Sequence, residues 1–139
     1  MKVGESLVKN LKKGSIVALE GPLGAGKTCF AKGIASGLGI TEEVTSPTYT
    51  IISEYSGVLN QEKIAVYHID AYRLSGNEDF YSIGGEEIVF GNGISIIEWS
   101  ERIPDFIPSG ALKVAITITK DDERHIRVCG EGNGEYPCH

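Results

Sequence analysis

Arginine is scarce in these 139 residues, occurring only as Arg73, Arg102, Arg124 and Arg127, and the formal net charge is −6. Autonomous binding to a nucleic-acid backbone needs clustered Lys and Arg. A chain this acidic is not expected to bind RNA or DNA strongly by itself, and any RNA connection would run through a partner. Cysteine is sparse as well: Cys29, Cys129 and Cys138 are odd in number and irregularly spaced. That pattern suggests neither a disulfide framework nor a zinc site. No apolar run approaches transmembrane length, and the N-terminus lacks a signal-peptide apolar region, so cytoplasm is the expected compartment and no membrane contact is expected. Glycine, by contrast, is in excess at 18 residues. The length suits one domain, 1–139, with a real core.

The glycines matter most at Gly21-Pro22-Leu23-Gly24-Ala25-Gly26-Lys27-Thr28, which reads G-x-x-x-x-G-K-T, the phosphate-binding loop pattern. Its flanks agree with it. Ser15 to Glu20 before it is β-branched and apolar, as a buried strand should be. After it Phe30, Ile34, Ala35 and Leu38 recur at helical spacing, with Gly37 and Gly39 as a stop. Strand, glycine loop and helix let backbone N–H groups wrap an anion and point a helix N-terminus at it. Gly24, Ala25, Gly26, Lys27, Thr28 and Cys29 are therefore the expected nucleotide-binding run. Lys27 can reach the β- and γ-phosphates, and the Thr28 hydroxyl can ligate Mg²⁺.

The remaining elements follow in order. Val3, Leu7, Val8 and Leu11 share one face of a short amphipathic helix ending near Gly14. Thr50 to Tyr55 reads as a strand, Ser56 to Gln61 as a hairpin turn, and Lys63 to Asp70 as the next strand. Ser75 to Phe90 is expected to make short helices, and Gly93 to Trp99 a central strand ending in a carboxylate. Ile103 to Pro108 reads as a loop. Leu112 to Thr119 alternates as a half-buried strand, and Lys120 to Glu123 turns it into Arg124 to Val128, an antiparallel edge hairpin. Residues 129–139 are glycine-rich and expected to fray. Too little helix separates these strands for a fully doubly wound sheet. The expected fold is α/β, a P-loop NTPase of three α/β/α layers with a mixed, partly parallel sheet and a C-terminal antiparallel hairpin.

Catalytic candidates should lie at the carboxyl ends of the strands beside the phosphate loop. Glu98 closes an apolar strand, and in P-loop enzymes such an acid helps to hold Mg²⁺. Asp70 ends another strand in the same way. One of the two suffices as the principal metal acid, leaving the other to hold water or orient a loop. Glu20 and Glu101 are weaker candidates that read as solvated acids. Ser46 and Thr48 flank Pro47 where a switch loop would lie, able to reach the γ-phosphate, the metal or the attacking water; a stiffened turn is the plainer alternative. His68 reads as a structural histidine within a strand. Arg73 either meets phosphate or pairs with a nearby acid. Trp99 either packs or lines the nucleotide site.

Four blocks, Gly24-Ala25-Gly26-Lys27-Thr28, Ser46-Pro47-Thr48-Tyr49, His68-Ile69-Asp70-Ala71-Tyr72-Arg73-Leu74 and Ile97-Glu98-Trp99-Ser100-Glu101, together resemble the TsaE family in order and spacing. TsaE is the bacterial P-loop ATPase of tRNA threonylcarbamoyladenosine biosynthesis, and the resemblance runs from about Gly4 to Arg127. It implies that Thr28 and Glu98 hold Mg²⁺, that Asp70 serves hydrolysis of ATP to ADP, and that Ser46 to Thr48 form the switch. It also implies that Arg124 approaches the nucleotide, and that the partners are the TsaD and TsaB proteins, with tRNA met only indirectly. Two departures stand out. The family places a short segment, with a strand and a Thr near the adenine, before the first helix, whereas this chain starts almost inside that helix; the expectation is a misplaced start or an incomplete base pocket. The tail from Cys129 to His139 matches nothing in the family.

Two other classes compete. A small-molecule kinase of this size would carry an Arg-rich lid, and none exists here. A GTPase would read guanine through an N/T-K-x-D motif; Thr119-Lys120-Asp121-Asp122 resembles it superficially but falls in the hairpin turn, and no D-x-x-G follows the switch.

Overall fold

Five residues, Ile16–Glu20 (β1), form the middle of the fold; all are buried except Glu20, which is half-buried. The computed structural model describes residues 8–21, 27–41, 52–118 and 124–129. β1 sits in a six-stranded sheet of order β2-β3-β4-β1-β5-β6. The other strands are β2 (Ile52–Leu59), β3 (Glu62–Asp70), β4 (Ile94–Glu98), β5 (Leu112–Ile118) and β6 (Arg124–Cys129). β1 pairs in parallel with β4 and β5, and β4 in parallel with β3. The outer strands, β2 and β6, are antiparallel to their neighbours. The carboxyl ends of β1, β3, β4 and β5 consequently share one edge of the sheet.

Alternation along each strand assigns its residues to two faces. On one face lie Val17 and Leu19, Ile64 and Val66, Ile94 and Ile96, Val114 and Ile116. They are covered by helix α1 (Lys27–Gly37), which contributes Phe30, Ala31, Ile34 and Ala35, with Leu38 just beyond it. Phe30, Ile34 and Leu38 are fully buried, and each stabilises the fold by about 1.5–3 kcal/mol. The chain turns away at Gly39, whose φ of 74° favours glycine. The opposite face, with Ile16, Ile69 and Ile97, is covered by α2 (Asn77–Ser82), α3 (Gly85–Val89) and the segment carrying Ile103 and Phe106. Phe80 and Phe106 meet edge to face there at 4.7 Å. These are the expected three layers, mixed sheet and C-terminal hairpin.

Three local expectations need correction. Ser56 to Leu59 is strand rather than turn, and the β2–β3 hairpin closes through Asn60 and Gln61, at φ 51° and 69°. Two positive φ values are what a tight two-residue hairpin requires. Gly57 belongs within the strand because the end of α1 presses on it: a Cβ there would meet the Leu38 carbonyl at 3.0 Å. At the N-terminus, Val8–Asn10 forms a short 3-10 turn rather than an α-helix, and residues 3–7 of the helix expected over Val3 to Leu11 lie outside the described region. Ile103 to Pro108 is not all loop, since Pro104–Phe106 makes a 3-10 turn that delivers Phe106 to the core. The turn at Lys120 to Glu123, the Thr119–Asp122 run and the tail beyond Cys129 fall outside the described residues. Among those described, no helix is long and apolar enough to cross a membrane.

Candidate functional site

The face that packs on α1 changes character at the shared edge of the sheet. On β3 the row Ile64 and Val66 continues as His68 and Asp70; on β4 the row Ile94 and Ile96 continues as Glu98. Asp70 and Glu98 are register partners, and Glu98 also stands opposite Leu19 of β1. Two carboxylates are thereby held side by side where the sheet meets the first turn of α1. Glu98 is buried and Asp70 half-buried, the latter accepting a hydrogen bond from the Tyr72 N–H at Oδ1 (3.0 Å).

Lys27 opens α1, and its side chain is buried. Its ammonium donates to the Gly21 carbonyl, across the loop that joins β1 to α1. The same ammonium lies 3.8 Å from the centre of the Trp99 ring. Burial pulls the Lys27 pKa below its ordinary value, opposed by the negative charges of Glu101, Glu98 and Asp70. One ammonium thus faces three acids. Glu101, expected to be a bystander, is exposed, yet it is the acid whose field favours the charged Lys27 most strongly.

Trp99 reaches this position through unusual backbone. It follows Glu98 directly and adopts φ 59°, ψ 41°, a left-handed conformation that costs a non-glycine residue about 1–3 kcal/mol. The ring has close neighbours. Lys27 approaches it, Tyr72 packs on it at 4.9 Å between centroids, and the Arg102 guanidinium lies over Tyr72 at 5.3 Å. Sequence reasoning left Trp99 open between packing and site; it is half-buried against the site lysine. Tyr72 and Arg102 were missed as its supports. Their signal was present in the spacing of Tyr72 after Asp70 and Arg102 after Trp99. Beside Trp99, residues Glu20, Gly21, Glu101 and Thr117 help to line a groove of about 380 Å³, within the size range of small-ligand clefts.

Of the other candidates, Thr28 continues the first turn of α1 after Lys27, and Cys29 is exposed on that turn. Arg124 begins β6 opposite Ile118, at the same edge of the sheet as Asp70 and Glu98. Gly24, Ala25, Gly26, Ser46 and Thr48 lie outside the described residues. His68, read as structural, places Nε2 2.5 Å from Glu98 Oε2, so it contacts the site acid directly. Among the described residues no group of three or more His, Cys, Asp or Glu encloses a metal position. Asp70 and Glu98 still offer hard carboxylate oxygens at neighbouring strand ends. Magnesium takes such donors one or two at a time and completes its shell with water and phosphate oxygens. The residues present fit that ion.

Comparison with known proteins identifies the family of the chain. Residues 1–126 match a family model described as "Threonylcarbamoyl adenosine biosynthesis protein TsaE". A Treponema pallidum protein named tRNA threonylcarbamoyladenosine biosynthesis protein TsaE is 46% identical over 118 residues, spanning 85% of this chain and 84% of that protein. A Bacillus subtilis protein of the same name is 43% identical over 122 residues, spanning 88% and 73%. The crystal structure of Bacillus subtilis YdiB superposes with a TM-score of 0.74 at 38% identity, covering 94% of this chain and 78% of that one.

Proposed function

The chain belongs to the TsaE family, and from that premise we propose that it is a Mg²⁺-dependent ATPase subunit of tRNA threonylcarbamoyladenosine biosynthesis. The observation that carries the reading is the convergence of Lys27, from the first turn of α1, with Glu98 and Asp70 on adjacent parallel strand ends. An ammonium and two carboxylates at the carboxyl edge of a parallel sheet, beside a G-x-x-x-x-G-K-T loop, are the parts that phosphoryl transfer from a nucleoside triphosphate uses.

Each residue has a separable task. Lys27 exchanges its contact with the Gly21 carbonyl for phosphate oxygens, leaving a buried site where charge-assisted bonds are strong. Glu98, with the Thr28 hydroxyl, would hold Mg²⁺, which supplies charge neutralisation on the β- and γ-phosphates when bound. Neutralisation is needed, because a polyphosphate entering beside Asp70, Glu98 and Glu101 meets three like charges. Asp70 orients the attacking water. Trp99 and the groove beside it flank the nucleotide, and Ser46 and Thr48 sense its γ-phosphate. Cys29 and Arg124 belong to the same nucleotide-facing edge.

The purpose of hydrolysis lies outside this chain. An acidic protein with few arginines is poorly suited to hold tRNA. It docks on TsaD and TsaB, with TsaD transferring the threonylcarbamoyl group to tRNA and ATP hydrolysis resetting the complex between turnovers. Hydrolysis by the isolated chain is slow, since sequence offers no arginine finger in cis. The test is to mix the purified protein with TsaD and TsaB, with and without nucleotide, and to measure co-elution, ATPase rate and modified tRNA. The expected result is nucleotide-dependent association and a stimulated ATPase rate. An unchanged rate, with modification running equally well over many turnovers without this chain, refutes the proposal.

A further inference from the structure

His68 and Glu98 form a buried pair that the proposed chemistry does not yet use. Their side chains are 1% and 5% exposed, and Nε2 of His68 lies 2.5 Å from Oε2 of Glu98. His68 pairs in register with Ile96, so it sits one pleat below Glu98 on the neighbouring strand, at the boundary between apolar rows and polar edge. Nδ1 of His68 has no hydrogen-bond partner among the described residues. A bare acceptor is tolerated in such a place more readily than an unpaired N–H donor, since a buried donor without a partner forfeits its hydration. The arrangement therefore fixes the tautomer: the ring carries its proton on Nε2 and donates it to the carboxylate.

We infer that His68 is a positioning residue for the divalent cation, holding the Glu98 carboxylate in one orientation before the ion arrives. The inference rests on the reading that Glu98 is the metal acid. A glutamate has three rotatable side-chain bonds, and a free carboxylate must be ordered when it binds. Here Oε2 is anchored from below by a rigid ring whose own backbone is locked between β2 and β4. The carboxylate is thus presented in a set orientation, with Oε1 the oxygen His68 does not engage. Polar partners behind a metal-binding side chain act in this way generally, and their loss lowers metal affinity or activity by about 10–100-fold. No other histidine lies on β3 or β4, and Lys63, the one lysine of β3, sits at the opposite end of that strand.

Two measurements test this. In the nucleotide-free protein, proton–nitrogen spectra of the imidazoles, with His68 assigned by its loss in His68→Gln, should show an Nε2–H tautomer protected from exchange. Then Trp99 emission is followed during Mg²⁺ titration in the presence of ADP, for wild type, His68→Leu and His68→Gln. The amide nitrogen of Gln falls close to Nε2 and keeps a donor. His68→Leu should raise the Mg²⁺ concentration at half-effect about 10–100-fold without changing metal-free ADP binding, and His68→Gln should restore most of it. A merely structural histidine would lower the melting temperature and leave the metal midpoint alone. An Nδ1–H tautomer, or a midpoint in His68→Leu within twofold of wild type, overturns the inference. If wild type itself gives no Mg²⁺ response, the metal reading falls too. Should His68→Leu fail to fold, the tautomer and His68→Gln decide.

Discussion

Replacing Lys27 by Met separates binding from stability, because the two effects have different sources. In the free protein the ammonium gains a cation–π contact with Trp99 (3.8 Å) and a bond to the Gly21 carbonyl. The first is worth about 0.5–2 kcal/mol. Against this stands the cost of burying the charge, visible as the lowered Lys27 pKa. Methionine keeps the apolar stem against Trp99 and removes both terms, so the melting temperature should move little. Nucleotide binding loses the whole of this contact: a charge-assisted contact is worth about 1.5–3 kcal/mol, which converts to a ten- to 150-fold weaker Kd. Asp70, Glu98 and Glu101, no longer opposed by a cation, push the loss to the upper end. Calorimetric titration with Mg²⁺-ATP and a thermal melt measure the two quantities. A Kd within threefold of wild type refutes the assignment of Lys27 to phosphate. So does a collapse in stability large enough to explain the binding loss. The pH dependence has a fixed sign. Since the folded Lys27 pKa lies below the unfolded value near 10.5, the unfolded chain binds more protons in that window. The penalty for burying the charge is present below the folded value and is relieved as pH climbs towards 10.5. Phosphate binding favours the charged form, so nucleotide affinity should fall over the same window in wild type and not in Lys27→Met.

Glu98→Ala should abolish Mg²⁺-dependent hydrolysis and, by stranding the His68 Nε2–H, lower stability by about 1–3 kcal/mol; a wild-type rate across Mg²⁺ concentrations would remove Glu98 from the metal site. Trp99, the single tryptophan, should report nucleotide through its emission, and titration with ATP and GTP should favour ATP; a preference for GTP would return the protein to the GTPase class. Gly85→Ala places a Cβ against the fully buried Phe80 ring and should cost about 1–3 kcal/mol by overpacking, read as a lower urea midpoint at constant slope. An unchanged midpoint would mean that α3 moves freely on α2. Ile34→Ala should cost about 2–5 kcal/mol by the same measurement, since Ile34 is fully buried on the sheet-facing side of α1; a loss below 1 kcal/mol would show that the helix does not pack as described.

Periodicity made most of the elements legible. β1, β3, β4 and β5 are stretches rich in Val, Ile and Leu whose length and flanking turns leave little choice, and Glu98 and Asp70 stand out because a carboxylate ends each of two such stretches. What stayed hidden depends on tertiary approach. Gly57 looks like a turn residue until the end of α1 is seen pressing on it. His68 looks like one more inward-facing strand residue, because nothing local says which neighbour it meets; only the β3–β4 register puts it under Glu98. Trp99 was ambiguous because its left-handed backbone has no sequence signal in a tryptophan. Only the structure shows Lys27 and Tyr72 packed against the ring it presents.

The strand order also governs how the protein comes into being. β2 and β3 are joined by Asn60–Gln61 and can pair as soon as both are synthesised. β1 is different: its two neighbours, residues 94–98 and 112–118, lie far downstream. While the chain emerges, the strand that carries the phosphate loop waits with both edges unpaired and its apolar rows uncovered. Non-local parallel pairing of this kind is slow and exposes the chain to association with other strands. The aligned carboxyl edge cannot exist before β4 has slotted between β3 and β1. A nucleotide that recognises only that edge therefore stabilises assembled molecules and leaves half-made ones untouched, which makes ligand occupancy a mark of completed folding.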